Sequence, residues 1–334
     1  MIDVSKIKYD LVLMTPDGMK THLNNMARSI HTEENFGELA VRLEADIQNQ
    51  QMLGGKWLHQ HLQLGGQIVL LSDWGAGWHE IFRGTMFNWY YRTDPLGHLA
   101  VTAYDQLIYL IKSNDDRFYR AGTTAKAIIQ DIAGAWGIPL GTIEGPDTVL
   151  AKQVLRGERL GDMIHKVLDQ ARKRGGGKWV ARSKQGKIDV IKPGQNTPVY
   201  YFGADANVEQ IEDQQDIENL VTRVKIIGVA EDKEGRRPVV ATLDGKTEFG
   251  ILQDLVYQRQ FDNATAAQAA AEEILAERGV RRNAGRCLTP DLPFLRRGDK
   301  VHVSAGTLIG DYVVAGVMRD IKARTMVMEV EDIG

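Results

Sequence analysis

The chain has 334 residues, of which 43% are hydrophobic and 25% charged, and its formal net charge is −3 from 41 basic and 44 acidic side chains. This length predicts two or three globular domains. The balanced charge gives no support for sequence-specific nucleic-acid binding. The single cysteine, Cys287, excludes an intramolecular disulfide and suits a reducing compartment. No apolar run approaches membrane-spanning length and residues 1–10 lack signal-peptide features, so we expect assembly in the cytoplasm.

Residues 1–116 are predicted to form a first antiparallel β-barrel. Between positions 39 and 47, apolar residues alternate with mostly polar ones, which is the period-two pattern of a half-buried strand. Three further strands are predicted from Gly65 to Asp105. A β domain of this size is large enough to close as a small barrel or sandwich.

Residues 117–197 are predicted to form a small α/β domain. Thr123 is placed to cap the first helix, which Gly137 ends. A second helix is predicted from Leu160 to Arg172, because its apolar residues recur at helical spacing. A hairpin should follow across residues 179–191.

Residues 198–334 are predicted to form a second β-barrel. A helix over about residues 263–279, capped by Asn263 and ended by Gly279, is expected as an insertion between its strands. In the last strand, Met326, Met328 and Val330 should face one side. The predicted fold class is therefore mainly β with α+β character: two tube-like antiparallel β-barrels flank a small α/β domain.

The two predicted barrels contain similar three-stranded segments. Gly65-Gly-Gln-Ile matches Gly298-Asp-Lys-Val, and the strand containing Gly84 matches the strand containing Gly316. The run from 98 to 105 matches the run from 325 to 332, and each ends in Asp. Glycine inside a strand often marks a bulge or a barrel bend. We therefore predict an internal duplication, with Gly65, Gly84, Gly298 and Gly316 at barrel turns.

The chain contains no motif for catalysis, cofactor binding or metal binding. It lacks a nucleophile elbow, a zinc-protease helix and a phosphate loop. His59 and His61 have no carboxylate or cysteine close in sequence, so a metal role is disfavoured. The acidic run from 209 to 218 lacks the spacing of a calcium loop and is interpreted as a solvated face. We predict no catalytic residue, no cofactor and no metal.

Two clusters of residues are candidates for contacts between subunits. Arginines crowd into residues 278–297, which indicates either a solvated loop or a surface that meets an acidic partner. Aromatic residues crowd into residues 74–91, where three consecutive rings must point to both faces of a strand. Aromatic residues and Arg are enriched at interface centres. The interface candidates are Trp89, Tyr90, Tyr91, Arg281, Arg282, Arg286, Arg296 and Arg297.

These motifs, in this order, resemble the XkdQ/YqbQ-like family of baseplate hub proteins. The resemblance extends from Gly65-Gly-Gln-Ile through Phe82-Arg-Gly-Thr-Met and Gly122-Thr-Thr-Ala to Leu295-Arg-Arg-Gly-Asp. Such hubs belong to contractile phage tails and tail-derived bacteriocins, and are similar to the T4 and Mu hubs and to the N-terminal part of type VI secretion spikes. The resemblance implies a homotrimer with pseudo-sixfold symmetry that joins a hexameric tail tube to a trimeric central spike.

A second hypothesis is a tail-associated cell-wall hydrolase or glycan-binding module. Its aromatic cluster would stack on sugars, with Asp73 or Glu80 as the acid. A glycosidase needs two carboxylates at a defined separation, and the sequence offers no interpretable pair. The structural hub, without enzyme activity, is therefore the preferred reading.

Overall fold

The computed structural model describes residues 3–15, 18, 20–35, 37–52, 54–93, 97–229, 237–261, 263–279 and 282–332. The fold is mainly β with a few helices, so the predicted class is confirmed at that level. Within these residues, the four α-helices are α1 Ile108–Lys112, α2 Ala125–Ala135, α3 Leu160–Ala171 and α4 Ala264–Arg278. The strands are β1 Lys8–Met14, β2 Lys20–His22, β3 Ala27–Glu34, β4 Arg42–Gln48, β5 Gln67–Asp73, β6 Trp78–Arg92, β7 His98–Tyr104, β8 Asn114–Tyr119, β9 Leu140–Ile143, β10 Gln153–Arg159, β11 Val180–Lys184, β12 Lys187–Ile191, β13 Tyr200–Gly203, β14 Gln210–Asp216, β15 Arg223–Ile227, β16 Val239–Asp244, β17 Gln253–Tyr257, β18 Arg282–Pro290, β19 Lys300–Ala305, β20 Leu308–Asp320 and β21 Thr325–Asp332.

One sheet of 13 strands combines strands from both ends of the chain. Its main path is β2-β1-β5-β6-β7-β4-β3-β20-β21-β18-β14, with β19 beside β20 and β13 beside β19. We call β1–β7 the first β unit and β13, β14 and β18–β21 the second β unit. The path has two ends, at β2 and β14, and no closed barrel is found among the described residues. The two β units are instead joined edge to edge, by β3 and β20.

Three smaller sheets lie outside this path. A ribbon of β8 and β10 and a sheet of β11, β12 and β9 pack with α1–α3 as the α/β unit. The sheet β16-β15-β17 packs on α4 around a separate small core. Along the chain, this last unit lies between β14 and β18, which pair with each other. The predicted inserted helix is therefore present, but it belongs to an inserted unit with its own sheet.

Local sequence signals account for the helix ends, with one correction. Thr124, rather than the predicted Thr123, caps α2, because its hydroxyl accepts a hydrogen bond from the Ala127 amide. Asn263 caps α4 as predicted and accepts from the Ala266 amide. None of the helices in the described residues is long and apolar enough to cross a membrane.

The two β units repeat the same strand order. The first contains β3-β4-β7-β6-β5, and the second contains β14-β18-β21-β20-β19. Their turns are also equivalent: the Gly65 amide donates to the Met86 carbonyl at 2.9 Å, and the Gly298 amide donates to the Val314 carbonyl at 2.8 Å. Gly65 and Gly298 both have left-handed backbones, with φ of 85° and 89°, which glycine adopts without steric cost. The structure thus supports the predicted duplication.

A β-bulge occurs at the same place in each repeat. It falls at Phe87 in β6 and at Ala315 in β20, against β7 and β21 respectively. The extra residue shifts the alternation of faces by one position. Met86 and Trp89 therefore both contact the first core, although their separation is odd, and Val314 and Val317 do the same in the second core.

The predicted equivalence of Gly84 and Gly316 is wrong. Gly84 pairs with Ile68, whereas the equivalent residue to Ile68, Val301, pairs with Tyr312. Gly84 therefore corresponds to Tyr312, four residues before Gly316. Both glycines lie inside strands rather than at turns, and their match in the sequence was accidental. The predicted matches of the first and third strands agree with the observed registers.

Because the two β units share buried residues at their junction, we expect each unit to contribute to the stability of the other. Ile321 follows β20 in the second unit but is buried in the core of the first. Ile321→Ala should lower the free energy of unfolding by about 2–5 kcal/mol, because it leaves a cavity in that core. The matched change Ile309→Ala, at a side chain that is 71% exposed, should stay within about 0.5 kcal/mol. Chemical denaturation measures both, and equal effects would contradict the shared core.

Candidate assembly interface

A buried carboxylate and two arginines form the centre of the junction. Glu34, at the end of β3, is almost completely buried. Arg296, in the turn before β19, donates to both Glu34 carboxylate oxygens, at 2.7 and 3.0 Å. The backbone amide of Arg297 also approaches Glu34, at 3.4 Å. Burial by itself would raise the pKa of Glu34, but the neighbouring guanidinium groups lower it to about 2.

Arg297 extends the junction into the α/β unit. Its guanidinium donates to the carbonyls of Asn35 and Glu38, in the loop between β3 and β4, and to the carbonyl of Ala181 in β11. Only 5% of the residue is exposed. A single side chain thus links the first β unit, the second β unit and the α/β unit.

A second layer of polar groups surrounds this pair. Arg182 of β11 donates to Asp299 at 2.9 Å and to the Arg297 carbonyl at 2.6 Å. Asp105, which ends the first repeat, accepts from the amides of Val41 and Leu107. Burial raises the pKa of Asp105 to about 7, although those amides and nearby Ser183 and Arg296 oppose the shift.

A separate buried ion pair lies along the same edge-to-edge contact. Arg319 of β20 donates from Nε to Asp291 at 2.9 Å, and both residues are buried. Tyr9 of β1 donates its hydroxyl to the same carboxylate. Burial raises the pKa of Asp291, and Arg319 opposes that shift. Sequence reasoning missed Glu34, Asp291 and Arg319, because no local pattern distinguishes them from surface charges.

The predicted arginine surface divides into different environments. Arg296 and Arg297 are not surface residues that await an acidic partner, since their acidic partner is Glu34 of the same chain. Arg286 is exposed and pairs with Glu329 on the adjacent strand β21. Arg281 lies outside the described residues, and for Arg282 only its backbone in β18 is described.

The three consecutive aromatics of β6 do point to both faces. Trp89 and Tyr91 pack against the first core, and Tyr91 stacks on His59 at 5.3 Å between ring centroids. Tyr90 is 59% exposed. Among the described residues, β6 pairs with β5 only up to Thr85, so the edge from 87 to 92 opposite β7 has no partner strand.

The other aromatic residues do not form one sugar-stacking platform. Phe82 is buried in the first core, and Trp74 packs against His79 and Phe294. Asp73 accepts hydrogen bonds from the backbone amides of its own loop, and Glu80 pairs with Arg83. The described residues contain no group of His, Cys, Asp and Glu side chains that could hold a metal ion.

The acidic run has an unexpected position. Residues Gln210–Asp216 form β14, the last strand of the main sheet. Within the described part of the chain, β14 pairs with β18 on one side only. Its side chains include exposed Glu212 and Asp213. Among the strand edges that lack a partner in the described residues, β14 therefore carries acids and the end of β6 carries aromatics.

Comparison with solved structures shows that this fold is one of tail proteins. The tail protein from Neisseria meningitidis MC58 matches with a TM-score of 0.73 and 14% identity, covering 98% of this chain and 97% of that one. The 43 kDa tail protein of prophage MuSo2 from Shewanella oneidensis matches with a TM-score of 0.69 and 13% identity, covering 96% and 97%.

Sequence comparison then gives the family. The chain belongs to the YQBQ-like family, whose model matches residues 19–331. It is also 26% identical, over 284 residues, to the phage-like element PBSX protein XkdQ of Bacillus subtilis strain 168, covering 84% of each chain. The resemblance that the sequence indicated is confirmed.

The lowered pKa of Glu34 gives a pH-dependent test of the junction. A carboxylate with a folded pKa of about 2 stabilises the fold above its unfolded pKa of about 4.3, and loses this contribution as the pH falls towards 2. Glu34→Gln should therefore lower the free energy of unfolding by about 3–5 kcal/mol at pH 7, and by much less at pH 3.

The neighbouring change Glu33→Gln is the matched control. Glu33 is partly exposed and lies 3.5 Å from Arg42, so its loss should matter by less than about 1 kcal/mol at either pH. Denaturant titrations at the two pH values measure both variants. A Glu34→Gln variant as stable as Glu33→Gln at pH 7 would contradict the central role of the pair.

Proposed function

We propose that the protein is a structural baseplate hub of a contractile tail. The observation that carries this proposal is the internal repeat within a chain of the YQBQ-like family. Three chains with two repeats each would supply six similar faces. Such a homotrimer can join a hexameric tail tube to a trimeric central spike, because both symmetries are present in one ring.

The proposed partners follow from this position. The protein contacts other copies of itself, the tail tube protein, the central spike protein and other baseplate proteins. It is made and assembled in the cytoplasm of the host bacterium and functions in the assembled baseplate of a phage or bacteriocin tail. In the ring, each β unit would form part of a tube-like wall.

We further propose that the chain divides into residues 1–116, 117–197 and 198–334. The first and third parts each carry one repeat and supply the ring. Arg182 and Arg297 hold the middle part against the third, and Arg297 also binds carbonyls of the β3–β4 loop in the first. The middle part fixes the angle between the two repeats and does not form part of the repeat itself.

The proposal assigns no enzymatic role. Similarity to phage tail proteins supports a structural function. Among the described residues, the aromatic side chains separate into a buried set and an exposed set. The nearby carboxylates are bound within the chain, Asp73 by amides of its own loop and Glu80 by Arg83.

The oligomeric state tests this function. Native mass spectrometry should give three times the chain mass of 37.3 kDa, alone or after co-expression with the tube and spike proteins of the same particle. Each interface should bury at least about 1,200 Å². A monomer under all these conditions, or cell-wall lysis by the purified protein, would overturn the proposal.

A further inference from the structure

The contact between the two repeats within one chain has a defined register. The last four residues of β20 pair antiparallel with the end of β3. The facing residues are Val317 with Glu34, Met318 with Glu33, Arg319 with Thr32, and Asp320 with His31.

Each of these two strand segments has an equivalent in the other repeat. The bulges at Phe87 and Ala315 align β6 with β20, so residues 89–92 correspond to residues 317–320. The antiparallel pair β14–β18 is equivalent to the pair β3–β4 in the first repeat. Residues 212–215 of β14 therefore correspond to residues 31–34 of β3.

In the part of the chain that the structure describes, neither equivalent segment pairs with a strand on that side. Within the described residues, β14 pairs only with β18, and residues 87–92 of β6 pair only with β7. One chain thus contains the complete contact between β3 and β20. It also contains the two strands that are equivalent to these, β14 and β6, but among the residues that the structure describes they do not pair with each other within the chain. An unpaired edge presents free backbone donors and acceptors and is a template for pairing with another chain.

We propose that β14 of one copy pairs antiparallel with residues 89–92 of β6 in a second copy of this chain. The register repeats the internal contact: Trp89 faces Gln215, Tyr90 faces Gln214, Tyr91 faces Asp213, and Arg92 faces Glu212. This inference rests on the proposed ring and specifies its interface. Each chain has one edge of each kind, so the contact is head-to-tail, as a ring of three chains requires.

The exposed apolar residues of the first repeat fit this contact. Leu64, immediately before Gly65, is 65% exposed, whereas its equivalent Arg297 is 5% exposed and lies in the internal junction. Tyr90 is 59% exposed, and its equivalent Met318 faces β3. Leu64 and Tyr90 therefore occupy positions that become covered when the second contact forms.

The facing charges also fit the proposed register. Arg92 would lie opposite Glu212 in this register. Opposite charges that face each other across strands stabilise the pairing. The acidic side chains of β14 disfavour pairing between two β14 strands, because like charges would then face each other.

Engineered cysteines test the register directly. Tyr90→Cys and Gln214→Cys would face each other between chains, where antiparallel partners have Cβ atoms about 4.5–5.5 Å apart, near the distance that a disulfide spans. Both positions are exposed, so folding should be unaffected. The native Cys287 is buried.

A mixture of the two single variants should form covalent dimers on mild oxidation, and neither variant alone should do so. The double variant should form covalent trimers. Asn88→Cys with Gln214→Cys is the out-of-register control and should crosslink far less, since diagonal neighbours are about 7–8 Å apart. Met318→Cys with Glu33→Cys is the internal control and should crosslink within one chain.

The outcomes separate this inference from the proposed function. Trimers in native mass spectrometry without the Tyr90–Gln214 crosslink would overturn the strand pairing and leave the trimeric hub intact. Monomers without the crosslink, both alone and after co-expression with the tube and spike proteins, would overturn both, provided that the internal control crosslinks fully. Equal crosslinking of the in-register and out-of-register pairs would also reject the proposed register.

Discussion

The structure depends on the burial of one charged side chain, Glu34. A carboxylate removed from water is strongly destabilising unless cations and hydrogen-bond donors replace the solvent. For Glu34, the cations and hydrogen-bond donors are Arg296 and Arg297, which lie 262 and 263 positions further along the chain. Because Arg297 also binds carbonyls of β11 and of the β3–β4 loop, displacing one unit would leave a buried charge or a buried carbonyl without its partner.

The two repeats share the same strand framework but differ in the side chains at their edges. Both retain the left-handed glycine turn, the bulge and the alternating core. They differ where the repeats meet: Arg297 occupies the position that Leu64 has in the first repeat. The ion pair between Glu34 and the two arginines becomes buried when the chain folds, which suits a permanent junction within one chain. A neutral, apolar counterpart suits a contact that forms later, during assembly, because the free subunit then buries no unpaired charge.

Much of this organisation could be predicted from the sequence. The alternation in β4 and β21, the caps of the long helices and the registers of two of the three repeated strands all depend on neighbouring residues. The predictions that failed concern features that depend on residues far apart in the sequence. Gly84 and Gly316 are not equivalent because the β5–β6 hairpin is longer than the β19–β20 hairpin. The acidic run is interpreted from the sequence only as a solvated face, and its pairing as β14 was missed because its partner strand lies 72 positions later. The sequence showed Arg296 and Arg297 as a basic cluster, but not that Glu34 neutralises them. Tube-like barrels remain a prediction.

Native-state hydrogen exchange at the junction tests the account most directly. If the Glu34 cluster makes the two β units cooperative, the hydrogen-bonded amides of residues 31–34 and 317–320 should exchange only by global unfolding, at the same free energy as the amides of both cores. Exchange at the junction through a lower-energy opening, while both cores stay protected, would show that the β units are independent and would contradict the account.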